Sequence, residues 1–387
     1  MLGKGTFGCA YEPDMPCPNE VQSKKGKGKK FISKIQHKSK GSDREEHLGQ
    51  RIMEIPKYDT MFAPIISSCD VKIEEIIQEI DRSNVDKCDV MTKDMKTDPN
   101  VQYRSYKMKF AGKQTLVKYI MSIATKSPKK LVKRILETQL YLLKSIDKLT
   151  QLTPPVVHYD LKDNNIMYDD KLGVPILIDF GLSIEVEPDA EYDHKTMLQR
   201  YYVYYPKYTP WCIEIVLLSY IVQKVVANTP QKIKINITDE DIITLKDICT
   251  QFISDSDLFN LGSEFSTEEL AKYTEGLHAM IQGYLGQSWE TLVHGLEKGY
   301  STWDNYALAV IYYFFLYDII ISNKIQSMII DKYKSILKKI IWGVPNKTEN
   351  YRPSNTDTLK ELKSLSQTID KKEYNKLLLS VQTTLHP

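Results

Sequence analysis

Apolar residues follow two different rhythms along this chain. In the first third they form short runs of strand length. Phe31-Ile32-Ser33-Lys34-Ile35 alternates so that Lys34 shares a face with Ile32. Phe62 to Ile66 opens another strand, and Tyr106 to Ala111 reads as a further strand running on to Gly112, with an edge strand stopped by that glycine as the plainer alternative. Further on, Ile166-Met167-Tyr168 and Ile176-Leu177-Ile178 are split by the turn formers Asp169, Asp170 and Gly173, which predicts two strands and a tight turn. Elsewhere the spacing is helical. Leu48, Ile52 and Ile55 share one face of residues 42–55, with Ser42 and Asp43 as caps. Leu131, Ile135, Leu136, Leu140, Leu143 and Ile146 predict a helix over 131–149, ahead of Pro154-Pro155. Helices are also expected over 238–253, capped by Thr238, over 266–284 and over 355–383. Residues 70–100 show little periodicity beyond Ile73–Ile80 and read as a polar excursion.

The run from Tyr306 to Ile321 is nearly all apolar, but it is shorter than a bilayer requires and contains Asp318. A helix apolar on all sides is expected in the centre of a helical lobe, so no membrane partner is expected. The pattern predicts an α+β chain with a small β-rich lobe, residues 1–112, and a larger helical lobe, residues 113–387. A length of 387 residues suits that division. A formal net charge of +2 gives no reason to expect a nucleic-acid partner. The six cysteines are scattered without a CxxC pair, and no leader peptide is expected. They are expected to be reduced thiols in the cytoplasm, neither a disulfide framework nor a zinc site.

Candidate chemistry concentrates between His158 and Gly181. Asp160 can accept a hydrogen bond from an incoming hydroxyl, and Lys162 can neutralise charge on a transferred phosphoryl group. Asn165 and Asp179 offer hard oxygen ligands of the kind Mg²⁺ prefers. A polar loop beside a hairpin is the plainer alternative, and the presence of both clusters in order weighs against it. Near the start, Gly3-Lys4-Gly5-Thr6-Phe7-Gly8 spells G-x-G-x-x-G, whose glycines let backbone N–H groups approach phosphates. A dinucleotide-binding version should open a helix, but Pro13, Pro16 and Pro18 follow, so a hairpin is expected. The basic run Lys24 to Lys30 reads as a solvated loop.

The order H-x-D-x-K-x-x-N, at His158 to Asn165, followed by Asp179-Phe180-Gly181, resembles the signature of eukaryotic-type Ser/Thr protein kinases. That resemblance implies a bilobal protein-kinase-like fold and transfer of the γ-phosphoryl group of ATP, with Mg²⁺, to Ser/Thr hydroxyls of a protein substrate. It implies Asp160, Lys162 and Asn165 as catalytic residues and Asn165 and Asp179 as metal ligands. Gly3, Lys4, Gly5, Thr6, Phe7 and Gly8 would cover the nucleotide phosphates, with Ala10 packing on the adenine. Lys34 would hold the α- and β-phosphates. Its glutamate partner is taken as Glu45, which lies near the inward helix face; Glu46 is one step off it and Glu54 lies late. Met108 would be the gatekeeper, with backbone groups of Lys109 and Ala111 meeting the adenine. Asp304 would cap the catalytic loop, and Arg352 would pair with Glu214, which stands where the usual A-P-E is replaced by Pro210-Trp211-Cys212-Ile213-Glu214. Tyr159 stands where most such kinases have an arginine, which suggests activity independent of activation-loop phosphorylation. Between Glu214 and Asp304 lie 90 positions, so residues 225–300 are read as an insertion. GKGTFGCAYEP, IPKYDTMFAPI and PWCIE look most like Ser/Thr kinases of nucleocytoplasmic large DNA viruses, which implies host cytoplasm or virion. Two other readings stand beside this one. A small-molecule kinase would share the HxDxxxxN pattern. A kinase-fold scaffold would explain why only Met1 and Leu2 precede Gly3, where a leading strand is expected.

Overall fold

The computed structural model describes residues 1–4, 8–15, 17, 30–38, 40–98, 101–187, 190–344, 352–368 and 371–385. The chain forms two compact units, Met1–Thr115 with Asn165–Ser183, and Leu116–Asn164 with Ile184–Pro387. The first is built on an antiparallel sheet and the second is mostly helical, the α+β division of a kinase-like bilobal fold.

In the first unit the strands are β1 (Gly3–Lys4), β2 (Gly8–Tyr11), β3 (Phe31–His37), β4 (Ile65–Val71) and β5 (Tyr103–Lys109), in the order β1-β2-β3-β5-β4. The glycine motif is a hairpin: Gly3 pairs with Ala10 and Lys4 with Cys9. Gly8 is required there, because a Cβ would lie 2.0 Å from the Ile35 carbonyl oxygen. Helix α1 (Lys40–Met53) packs on β4, burying Leu48 and Ile52. The hairpin β7 (Ile166–Asp169) and β8 (Val174–Leu177) joins β6 (Gln114–Thr115) in a second, three-stranded sheet. Its turn is closed by Asp169, whose Oδ1 accepts the N–H groups of Lys171 and Leu172, and by Gly173 at φ 71°. The Ala63 N–H donates to the Leu177 carbonyl and the Leu177 N–H to the Met61 carbonyl, which ties the hairpin to the first unit.

Two expectations are corrected here. The excursion over residues 70–100, where little periodicity is expected beyond Ile73–Ile80, holds three helices among its described residues: α2 (Ile73–Glu79), α3 (Arg82–Val85) and α4 (Asp89–Thr97). Their Ile73, Ile76, Ile80, Val85, Cys88 and Met91 form one buried cluster with Tyr11, Ile35, Val71 and Tyr103 of the sheet. Each of the Ile, Val and Met side chains contributes about 1.5–3 kcal/mol on burial, so the segment supplies much of this unit's core. The cysteines also depart from a set of free thiols. Cys9 is bonded to Cys88 and Cys17 to Cys69, while Cys212 and Cys249 are free and buried. Partners 79 and 52 residues apart cannot be matched from spacing alone.

The second unit is a stack of helices. They are α5 (Leu116–Lys126), α6 (Leu131–Thr150), α7 (His194–Arg200), α8 (Ile213–Tyr220), α9 (Asp239–Ser254), α10 (Thr267–Gln282), α11 (Trp289–Glu297), α12 (Trp303–Leu316), α13 (Met328–Ile341), α14 (Asn355–Thr368) and α15 (Lys371–Leu385). The apolar run after Tyr306 is α12 and its π-helical extension Tyr317–Ile321, packed against α6 and α13. The stretch Trp289–Ile321 is long and apolar enough to cross a membrane, yet its most apolar window is 78% buried inside the protein. Within the 225–300 region, α9 begins with a reciprocal cap between Thr238 and Asp241 and packs on α10 and α8.

Candidate active site

The sequence-selected residues fall into two groups, one in each unit. In the first unit, strand alternation turns Ile35 into the buried cluster and Lys34 to the opposite face. There the Lys34 ammonium lies 3.0 Å from Glu45 Oε1 and 2.9 Å from Asp179 Oδ1. Burial pulls against the charge on Lys34, and the two carboxylates outweigh it, so its pKa is raised. Burial pushes the Glu45 carboxyl up, against the pull of Lys34. Glu46 points elsewhere, accepting from Ser68 at 2.6 Å. Asp179 has φ 64°, a conformation costly for a residue with a side chain, and its carboxylate is 43% exposed. Asn165, buried, lies at the same end of the β7–β8 hairpin, where its carbonyl accepts the Ile178 N–H at 3.0 Å.

Of the glycine motif, Gly5, Thr6 and Phe7 lie outside the described residues, as do residues 24–29 of the basic run. Ala10 sits on β2 opposite Lys34. Met108 and Lys109 end β5, and Met108 and Ala111 are buried. The Phe110 N–H is taken by the Lys30 carbonyl, and the Lys109 ammonium by the Asp59 carbonyl at 2.5 Å. Gly112 follows at φ 126°, where a Cβ would lie 2.1 Å from the Tyr168 carbonyl oxygen.

In the second unit Asp160 is buried, and its Oδ2 accepts from Lys162 at 2.9 Å. The turn before it is held from several sides. Asp304, at the start of α12, accepts the His158 and Tyr159 N–H groups at 2.7 and 3.0 Å. Burial raises the Asp304 pKa, and His158 with the two N–H bonds opposes the shift. Tyr159 has φ 68°, and the Asp160 N–H reaches back to the His158 carbonyl at 2.8 Å, a γ-turn of the rare, strained kind. The Tyr159 carbonyl accepts from Trp211 Nε1 at 2.8 Å, and its ring packs among Trp211, Trp303 and Tyr201. An aromatic cluster therefore stands where the resemblance leads one to expect an arginine. Arg352 grips Glu214 with two bonds, 2.6 and 2.9 Å, both side chains being sealed from solvent.

One contact lies beyond what the sequence reading found. The Tyr208 hydroxyl donates to Asp160 Oδ1 at 2.6 Å, and Lys162 stands 5.9 Å from the Tyr208 ring centre. The only hint in the sequence was the density of tyrosines from Tyr201 to Tyr208, which says nothing about which of them reaches Asp160.

No protein-family model matches the chain. Three curated proteins of Dictyostelium discoideum match it over short stretches. It is 52% identical over 42 residues to the probable serine/threonine-protein kinase samkC. It is 47% identical over 49 residues to the probable serine/threonine-protein kinase samkA, and 48% identical over 42 residues to the probable inactive serine/threonine-protein kinase samkD. These matches cover 11–13% of this chain and 5–8% of the curated relatives' length. They support a protein-kinase-like relationship at that coarse level.

Proposed function

We propose that the chain is a protein kinase that transfers the γ-phosphoryl group of ATP to Ser/Thr hydroxyls of protein substrates. The observation that carries the reading is Lys34 held between Glu45 and Asp179, a half-buried cation fixed on a strand beside a glycine hairpin. Lys34 would meet the α- and β-phosphates, and the Gly3–Gly8 hairpin would present backbone N–H groups to them. Met108, Lys109 and Ala111 would line the adenine position. Asp160 would orient the acceptor hydroxyl and take its proton, and Lys162 would neutralise the moving charge.

Asn165 and Asp179 would hold Mg²⁺. A carboxamide and a carboxylate at one hairpin end are the hard oxygen donors this cation takes, and it keeps substrate phosphates as further ligands. Bound there, it would supply charge neutralisation at the phosphates. The buried aromatic hold on Tyr159 favours an activation segment placed without a phosphate. The likeness to kinases of large DNA viruses, the protein substrate and the cytoplasmic or virion location belong to the same proposal. The two disulfides require an oxidising step wherever the chain folds. A scaffold with weak transfer is the second reading, favoured by the inactive label of one matched relative.

The test is transfer from labelled ATP with Mg²⁺ to a generic basic Ser/Thr peptide, beside Asp179→Asn. Transfer by the native chain and none by the variant is expected. Equal transfer by both would sink the assignment of this site, and no transfer by the native chain would favour the scaffold.

A further inference from the structure

We propose that the outer face of α15, together with the Pro128–Lys130 turn, is a docking surface for an acidic protein segment that carries an apolar anchor. The proposal concerns a partner and stands whether or not the chain transfers a phosphoryl group. Two lysine-rich stretches far apart in sequence meet there, within the second unit. Residues 126–133, KSPKKLVK, span the joint from α5 to α6, and residues 371–376, KKEYNK, open α15. α15 packs on the turn of 3₁₀-helix Pro128–Lys130. Tyr374 anchors the contact: burial raises the pKa of its hydroxyl, Glu137 adds to the shift, and a bond from the Lys133 backbone opposes it.

The two stretches hold seven lysines against one acidic residue, Glu373, in a chain whose formal net charge is only +2. Positive charge is thus gathered at this end of the unit and balanced elsewhere. Lys133 lies 3.7 Å from Glu137, a carboxylate that Arg134 also holds at 2.8 Å. Lys126, Lys129, Lys130, Lys371, Lys372 and Lys376 are exposed, and among the described residues none of the six meets a carboxylate in an ion pair. Like charges gathered without counter-charge repel one another, and an anionic partner relieves that repulsion as it binds.

The apolar side chain among these lysines selects the class of partner. Helical spacing sets Lys372, Lys376 and Leu379 on one outward stripe of α15, away from Leu377 and Val381, which are buried. Leu379 is 62% exposed, more than any other large apolar side chain among the described residues. A single-stranded nucleic acid would seek aromatic platforms beside the lysines. The one aromatic of the two stretches, Tyr374, is taken up by the contact with α6. An anionic bilayer takes up a helix through a whole apolar face, and α15 has spent that face on the protein. A lone leucine among lysines matches a segment of Asp and Glu with an apolar side chain spaced among them. Lysine suits a flexible partner, because its ammonium is a point charge on a mobile stem that meets a carboxylate without a fixed geometry.

The experiment is fluorescence anisotropy on the full chain with a labelled peptide rich in Asp and Glu and carrying Leu at intervals. The same peptide with Asn and Gln in place of its acids, a labelled DNA duplex and phosphatidylserine vesicles are run beside it. The expected result is saturable binding of the acidic peptide, tighter than any of the other three, that weakens steeply as salt rises. Lys129→Glu, Lys372→Glu and Lys376→Glu together should weaken it about tenfold or more without lowering the melting temperature. Leu379→Ser should weaken it about fivefold and leave the salt slope as it was. Lys87→Glu, Lys93→Glu and Lys96→Glu together, at exposed positions of the first unit, should leave it within about twofold. Equal loss in the two triple variants would overturn the proposal, since that is attraction to net charge alone. Tighter binding of the duplex or the vesicles would overturn it in favour of a phosphate-bearing partner, and no binding of the acidic peptide would overturn it outright.

Discussion

Two ionic clusters, one in each unit, use the same charges to different ends. In the first unit Lys34 is shared between Glu45 and Asp179, with side-chain exposures of 22%, 4% and 43%. In the second, Arg352 and Glu214 are 2% and 1% exposed and meet through a two-bond fork. A lysine is a point charge that can turn from one partner to another, whereas a guanidinium fork is matched to one carboxylate. The open cluster is suited to receiving a ligand's charge, and the sealed pair to holding α8 to the Arg352 segment. The units differ accordingly in what stabilises them. The first relies on two disulfides and the helices α2–α4, and the second on packed helices around the sealed pair.

The largest expected effect tests that last difference. Reducing both disulfides should cost about 2–5 kcal/mol for each bond. Hydrogen exchange should rise in the first unit and stay low in α12; the same rise in both would break the comparison. Next, Arg352→Met leaves Glu214 buried without its cation, and denaturant unfolding should show a loss of about 3–5 kcal/mol. Glu214→Leu added to it should recover most of that loss. Third, Lys34→Met should lower phosphoryl transfer about 10²–10³-fold, the scale of removing one preorganised charge-stabilising group, with the melting temperature within a few degrees of the native chain. A large drop in melting temperature would mean that the open cluster is structural after all. The smallest effect is at the N-terminus of α9, where Thr238→Ala should cost about 1 kcal/mol and leave transfer unchanged.

Local pattern explains which parts were legible in the sequence. The β7–β8 hairpin announced itself through Asp169, Asp170 and Gly173, and α9 through Thr238. Residues whose role depends on a distant partner did not. Val85, Cys88 and Met91 recur every three residues, but the intervening charges hid a face that becomes apolar only against Tyr11 and Ile35. The pairing of Cys9 with Cys88 follows from the same packing. Tyr208 is one aromatic among many until the chain fold sets its hydroxyl on Asp160. The hairpin flanked by Asn165 and Asp179 follows the helical α6 in sequence yet belongs to the sheet-based unit, which no local signal marks.

The central claim is that Lys34 and Asp179 form a nucleotide site, and the most direct measurement is thermal unfolding with and without Mg²⁺ and ATP. At a ligand concentration 100 times its Kd the native chain should gain about 2.7 kcal/mol, seen as a rise in melting temperature. Lys34→Met and Asp179→Asn should lose most of that rise, and Arg352→Lys should keep it from whatever lower baseline it has. An undiminished rise in Lys34→Met would contradict the account.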